Sequence, residues 1–231
     1  MYQYSMQIET LAEDSRMISN IELIDGCFGA PLAELSGDQL EDIRLNLIRS
    51  LRRIVLYTVK TPVSETEWYR HIFQNASFLG ITHLKIDLVA LKTDTGLAEI
   101  LRMAESFGIY VVFEPGFDHP IFTEEFYFSI RTEYTKIIYD PMLFVHHGKK
   151  PFLDVLYKCK WKDDVLFLRV TDALFDSTTP VALEYGNGEI KECTSTLLAR
   201  SFGGFFSFIP YRTDAPVWNA VSEFQGLLSR L

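Results

Sequence analysis

The chain has 231 residues, 48% of them hydrophobic, and a net charge of −9, which fits one α/β barrel or one large α/β domain with a full core. The acidic balance, without a basic nucleic-acid-reading motif, argues against a phosphate-backbone partner, and no nucleic-acid partner is expected. No apolar stretch reaches the roughly 18 residues that a membrane span needs, so no membrane partner is expected either. Cys27, Cys159 and Cys193 show no metal-ligand spacing, and the N-terminus does not read as a secretion signal; both features point to the cytoplasm.

The chain reads as alternating strands and helices. A first strand is expected near Gln3 to Ile8 and a second over Ile21–Asp25, with a Gly-rich loop through Gly29. Ser36-Gly37-Asp38-Gln39 is a capping-box pattern, and Leu40, Ile43, Leu47 and Leu51 keep helical spacing behind it. Ile54 to Val59 is a β-branched strand closed by Lys60-Thr61-Pro62. Ser64-Glu65-Thr66-Glu67 is a second capping box whose helix runs to Gly80. His83 to Leu88 alternates strictly, placing Leu84, Ile86 and Leu88 on one face and His83, Lys85 and Asp87 on the other. Leu97, Ile100, Leu101 and Ala104 form the next helical stripe, closed by Gly108.

Three later strands end in charge. Tyr110 to Phe113 runs into Glu114-Pro115-Gly116, Lys136 to Tyr139 into Asp140-Pro141, and Val165 to Leu168 into Arg169-Val170-Thr171-Asp172. A buried strand does not keep a charge within it, so each charge marks a solvent end. Helices are expected near Glu124 to Tyr134, Pro151 to Lys160, Thr196 to Phe202 and Ala215 to Leu231, with a last strand over Phe205–Ile209. Eight βα units in this length fit a single-domain (β/α)8 barrel of parallel strands over residues 1–231, whose first unit has room to be trimmed or irregular. The polar face of the His83 strand favours a closed barrel over an open sheet, where both faces are apolar.

Val112-Phe113-Glu114-Pro115-Gly116, Tyr139-Asp140-Pro141, Leu168-Arg169-Val170-Thr171-Asp172-Ala173, Gly186-Asn187-Gly188-Glu189-Ile190 and Gly203-Gly204-Phe205-Phe206-Ser207-Phe208-Ile209-Pro210-Tyr211 follow one another in register. Together they resemble the xylose isomerase-like TIM barrels, the sugar phosphate isomerase/epimerase group, over about the last 120 residues. The resemblance implies a divalent cation held by Glu, Asp, His and a second Glu on successive strands. Carried onto this chain, the first Glu falls on Glu114 and the Asp on Asp140. The His of the His-x-x-Asp motif falls on Arg169, with Asp172 retained, and the final Glu falls on Ile209. Arginine stays protonated and does not ligate metals. No cofactor is therefore expected; if manganese, magnesium, zinc or cobalt binds, Glu114 and Asp140 hold it. The expected replacement is electrostatic, with the Arg169 guanidinium bridging Glu114 and Asp140.

Glu114, Asp140, Arg169 and Asp172 are thus the candidate catalytic residues, and Lys60, Lys85, Asp87 and His146 candidate substrate contacts. Each has a plainer reading. Glu114 and Asp140 could cap loops, Asp172 could bond loop amides, and His146, His147 and His119 could be loop residues. His83 reads as a hydrogen-bonded core residue. Gly186-Asn187-Gly188 is not read as a phosphate-binding turn, because no helix start is expected there. The leading expectation is a sugar or sugar-phosphate isomerase or epimerase with an altered, metal-poor site, acting on a small carbohydrate or polyol. The alternative is a non-catalytic barrel that binds a carbohydrate or a partner. An endonuclease-like activity, which needs a His-rich metal cluster, is the least supported.

Overall fold

The computed structural model describes residues 2–11, 18–62, 65–86, 95–115, 123–175, 179–210 and 217–231. Eight strands close in chain order into a barrel. They are β1 (Gln3–Gln7), β2 (Asn20–Ile24), β3 (Arg53–Val59), β4 (His83–Ile86), β5 (Tyr110–Phe113), β6 (Thr135–Tyr139), β7 (Val165–Arg169) and β8 (Phe205–Phe208). The helices are α1 (Gly37–Ser50), α2 (Thr66–Leu79), α3 (Thr95–Phe107), α4 (Glu124–Ile130), α5 (Pro141–Val145), α6 (Ile190–Ala199) and α7 (Val217–Leu228). The chain divides into two compact units. One contains Ser5–Phe113 and Glu125–Lys136; the other contains Met1–Tyr4, Glu114–Glu124 and Ile137–Leu231.

In the first of these units β2, β3, β4 and β5 pair in parallel, with Tyr57 opposite Leu84 and Lys85 opposite Val112. The period-2 alternation of His83 to Ile86 holds: Leu84 and Ile86 are buried apolar residues, whereas Lys85 is half-buried. His83 is a core residue, as its plainer reading has it. Its Nδ1 lies 2.7 Å from Val55 O, so that nitrogen carries the proton. Burial pushes the imidazolium pKa down to about 4, so the ring is neutral near pH 7.

Ser36 caps α1 as expected: its hydroxyl accepts from Gln39 N and the Gln39 side chain returns to Ser36 N. Leu51, read as part of the α1 stripe, instead lies just past the helix with φ of 55° and is 83% exposed. An L side chain in the left-handed region costs about 1–2 kcal/mol, and this one buries little in return. Leu51→Gly should therefore raise stability by about 1 kcal/mol, read as a higher urea midpoint at unchanged slope. The second capping box is not closed by a side chain: α2 begins at Thr66 with Glu65 as N-cap and no side-chain cap bond, and Ser64 lies outside the described residues. Gly80 does close α2, with φ of 71°.

In the other unit β6, β7 and β8 pair in parallel. Phe206 on β8 packs 4.8 Å from Phe224 of α7 and 5.3 Å from Phe202 by ring centroids. Phe167 and Phe205, register partners, stack at 4.9 Å. The Phe-rich strand is core, as expected. Two helix assignments move. α6 spans Ile190–Ala199, not Thr196 to Phe202, because it starts directly behind the Gly186–Gly188 loop. The helix expected over Pro151 to Lys160 is reduced to a π-type turn at Pro151–Leu156 and a 3-10 turn at Trp161–Asp164. α4 also stops at Ile130, short of Tyr134.

Candidate functional site

The polar strand ends of β5, β6, β7 and β8 lie in one compact unit. β7 ends on Arg169, whose register partner on β8 is Ser207. Tyr139 of β6 pairs with Leu168, so Asp140 follows at the level of Arg169. Glu114 follows β5 directly. Parallel strands thus bring two acids, one base and one hydroxyl to the same end of the sheet.

The Arg169 side chain is only 3% exposed and that of Glu114 14%. Arg169 Nε donates to Glu114 Oε1 at 3.3 Å, and Nη1 donates to Ser207 Oγ. A guanidinium taken out of water needs acceptors, and the strand register supplies them. This ion pair is the contact that the carried-over motif leads one to expect. Asp140 is the N-terminal neighbour of a helix. Its Oδ1 accepts from Thr171 Oγ1 at 2.7 Å and from Met142 N at 3.0 Å. The second bond makes Asp140 the N-cap of α5, with Pro141 at the first helical position. Asp-Pro at the end of an apolar run is the sequence signal for that cap.

Asp172 bonds loop amides. Its carboxylate accepts from Ala173 N at 2.9 Å, Gly188 N at 2.7 Å and Gly186 N at 3.0 Å. Burial pushes its carboxyl pKa up, and the amides offset part of that. The Gly186-Asn187-Gly188 loop does lead into a helix, contrary to expectation, but its glycines serve the approach to Asp172. A Cβ on Gly186 would overlap Asp172 Oδ1 and sit 2.6 Å from Ala173 O. Glu189 follows with φ of 46°, and its Oε2 accepts from Phe152 N at 2.8 Å and Leu153 N at 3.1 Å. Ser207, Thr171 and Glu189 are not among the sequence candidates. Ser207 is detectable as the one polar residue in Phe205-Phe206-Ser207-Phe208.

Lys85 on β4 and the exposed Lys60 behind β3 belong to the other compact unit, and Asp87 and His119 lie outside the described residues. His146 closes α5 and is half-buried rather than a free loop residue; its Nε2 is buried without a hydrogen-bond partner. His147 is exposed. Asp25 is tied to its own loop, accepting from Tyr57 Oη at 2.7 Å and Leu32 N at 3.0 Å. The thiols are not activated: burial pushes Cys27 and Cys159 up to about 12 and raises Cys193 as well. Among the described residues, no three His, Cys, Asp or Glu side chains are grouped closely enough to hold a metal ion.

No protein-family model matches the chain, and no curated protein matches it. Solved structures do. A xylose isomerase-like TIM barrel protein from Mycobacterium smegmatis in complex with magnesium is 14% identical, with a TM-score of 0.70 over 99% of this chain and 96% of that one. A D-psicose 3-epimerase from Clostridium cellulolyticum, solved with D-tagatose, is 11% identical, with a TM-score of 0.65 over 99% and 97%. Endonuclease IV from Thermus thermophilus is 12% identical, with a TM-score of 0.64 over 99% and 100%. Likeness along the whole chain at such low identity speaks to architecture, and the chain has the fold of the xylose isomerase-like TIM barrels.

Proposed function

We propose that this barrel binds a small carbohydrate or polyol at the C-terminal ends of its strands and acts on it as an isomerase or epimerase. In this reading the Arg169–Glu114 pair stands where the sequence resemblance implies a cation. One observation carries it: a guanidinium 3% exposed, anchored by Ser207 and facing Glu114 at 3.3 Å. The residues present do not fit a divalent cation. Glu114 already faces a fixed positive charge, Asp140 Oδ1 already accepts two hydrogen bonds, and arginine adds repulsion instead of a lone pair.

The chemistry available is acid–base. Glu114 is the carboxylate to take a proton from the carbon beside a carbonyl. Arg169 is the positive charge to hold the oxyanion that then forms. Returning that proton to the former carbonyl carbon, while the hydroxyl proton of the adjacent carbon passes to the oxyanion, isomerises the sugar; returning a proton to the opposite face of the same carbon epimerises it. Asp172 accepts from three backbone amides and Asp140 Oδ1 from one amide and the Thr171 hydroxyl, which favours the second reading, a barrel that binds such a ligand without turning it over.

The test is conversion of a panel of ketoses, aldoses and inositol-type polyols by the purified protein, with and without chelator. Conversion that survives chelator and is lost in Glu114→Gln supports the first reading. Saturable binding without conversion supports the second. Conversion abolished by chelator and restored by manganese defeats the metal-free assignment. In the same vein, Arg169→His with Ile209→Glu should raise manganese affinity by completing four ligands, measured by calorimetry.

A further inference from the structure

The connection from β6 to β7 is built from short elements. It contains only α5, the turn at Pro151–Leu156 and the turn at Trp161–Asp164, each of six residues or fewer. α6, which follows β7, has ten residues, and α1 has 14. This segment is also where the charge of the chain reverses. Lys149, Lys150, Lys158, Lys160 and Lys162 are five of the ten lysines in a protein of net charge −9, against three acids, Asp154, Asp163 and Asp164, in residues 146–164; Lys158 pairs with Asp154 and Lys162 Nζ donates to Tyr157 O. Between the lysines two large apolar side chains face water: Leu153 is 46% exposed and Tyr157 63%. They are four apart on one helical turn, so they share a face. Beneath them the strip is firmly built. Leu156 and Trp161 are buried, Tyr139 Oη donates to Pro151 O at 2.5 Å, and the Glu189 carboxylate caps Phe152 and Leu153.

We infer that this strip is a docking face for an anionic lipid surface. An apolar centre of leucine and tyrosine flanked at both ends by lysine matches a bilayer interface: acyl and glycerol groups take the ring and the isobutyl group, and the Lys150 and Lys160 ammonium heads on either side reach lipid phosphates. The cations are all lysine, with no arginine between His146 and Asp164. Lysine is depleted in protein–protein interfaces, whereas lysine-rich strips are favoured beside anionic headgroups. The exposed apolar side chains project outward, which suits a deformable partner that needs no groove. The inference departs from the expectation of no membrane partner, which rested on the lack of a spanning segment, and surface attachment requires none. Screening over about 8–10 Å lets the strip act locally despite the acidic remainder.

The test is flotation of the full chain with vesicles of phosphatidylcholine alone and of phosphatidylcholine containing one third phosphatidylserine. Binding is expected to the anionic vesicles only, and to fall as salt rises. Lys150→Glu with Lys160→Glu should weaken it by roughly fivefold or more per lysine reversed. Leu153→Ser with Tyr157→Ser should also weaken it while leaving circular dichroism unchanged. No flotation with anionic vesicles, or flotation indifferent to both double variants, overturns the inference. Saturable binding of poly-glutamate with no vesicle binding overturns it too, and makes the strip a face for an acidic protein.

Discussion

Arg169→Ala should lower stability by about 3–5 kcal/mol, because it removes one member of a buried pair and strands the other. Arg169 is 3% exposed and Glu114 14%. Truncation leaves the Glu114 carboxylate facing a cavity, and Ser207, fully buried, loses the guanidinium that donates to it. Arg169→Lys separates charge from geometry. An ammonium keeps the charge but not the fork that reaches Glu114 through Nε and Ser207 through Nη1, so it should recover less than the full loss. Arg169→Met tests the opposite case. If a well-packed apolar chain matched the wild type, the pair would be a replaceable structural feature and not the centre of a site. Urea unfolding of all three variants decides among these, and an Arg169→Ala midpoint equal to that of the wild type would rule the buried pair out.

The architecture was legible because it rests on short-range periodicity. The two-residue alternation of His83–Ile86 and the Ser36 capping box depend on adjacent residues alone. The charged ends of β6 and β7 were located in the same way, but not as solvent ends: Asp140 is 0%, Arg169 3% and Asp172 2% exposed, and hydrogen bonds in place of water satisfy them. The Arg169–Glu114 contact was readable through strand order, but its third member was not. Ser207 becomes an Arg169 partner only through the β7–β8 register, which no local pattern encodes. Asp140 and Asp172 both bond backbone amides for one reason: short carboxylates at strand ends meet the nearest unsatisfied amides first. For Asp140 the Asp-Pro signal is present; for Asp172 two of the amides come from residues 14 and 16 positions away. The short turns between β6 and β7 read as one helix in the sequence because Phe152, Leu153, Val155 and Leu156 keep an apolar content that helices and turns share.

The Asp172 cradle gives the other large effect. Asp172→Ala removes the one acceptor of three backbone amides, Ala173, Gly186 and Gly188. Each buried amide left bare costs about 1–3 kcal/mol, and partial solvation of the opened loop brings the expected total to about 3–5 kcal/mol. Gly186→Ala attacks the same cradle from the other side. Its Cβ would stand 2.6 Å from the Ala173 backbone oxygen as well as overlapping Asp172 Oδ1, so the loop must move off the carboxylate, at about 1–3 kcal/mol. Once the cradle is already lost, the glycine should matter less, and the double variant should cost less than the sum of the singles. The pH dependence supplies an independent check. Burial raises the folded pKa of Asp172 above its unfolded value, so between the two the native state binds the extra proton. The linkage slope is then negative, and this contribution to stability falls as pH rises from the ordinary aspartate value through the raised one. The stability gap between wild type and Asp172→Ala should therefore be widest at acid pH and narrow through that window. A gap that widened with rising pH would mean that the three amides outweigh burial and hold the carboxylate below its usual range.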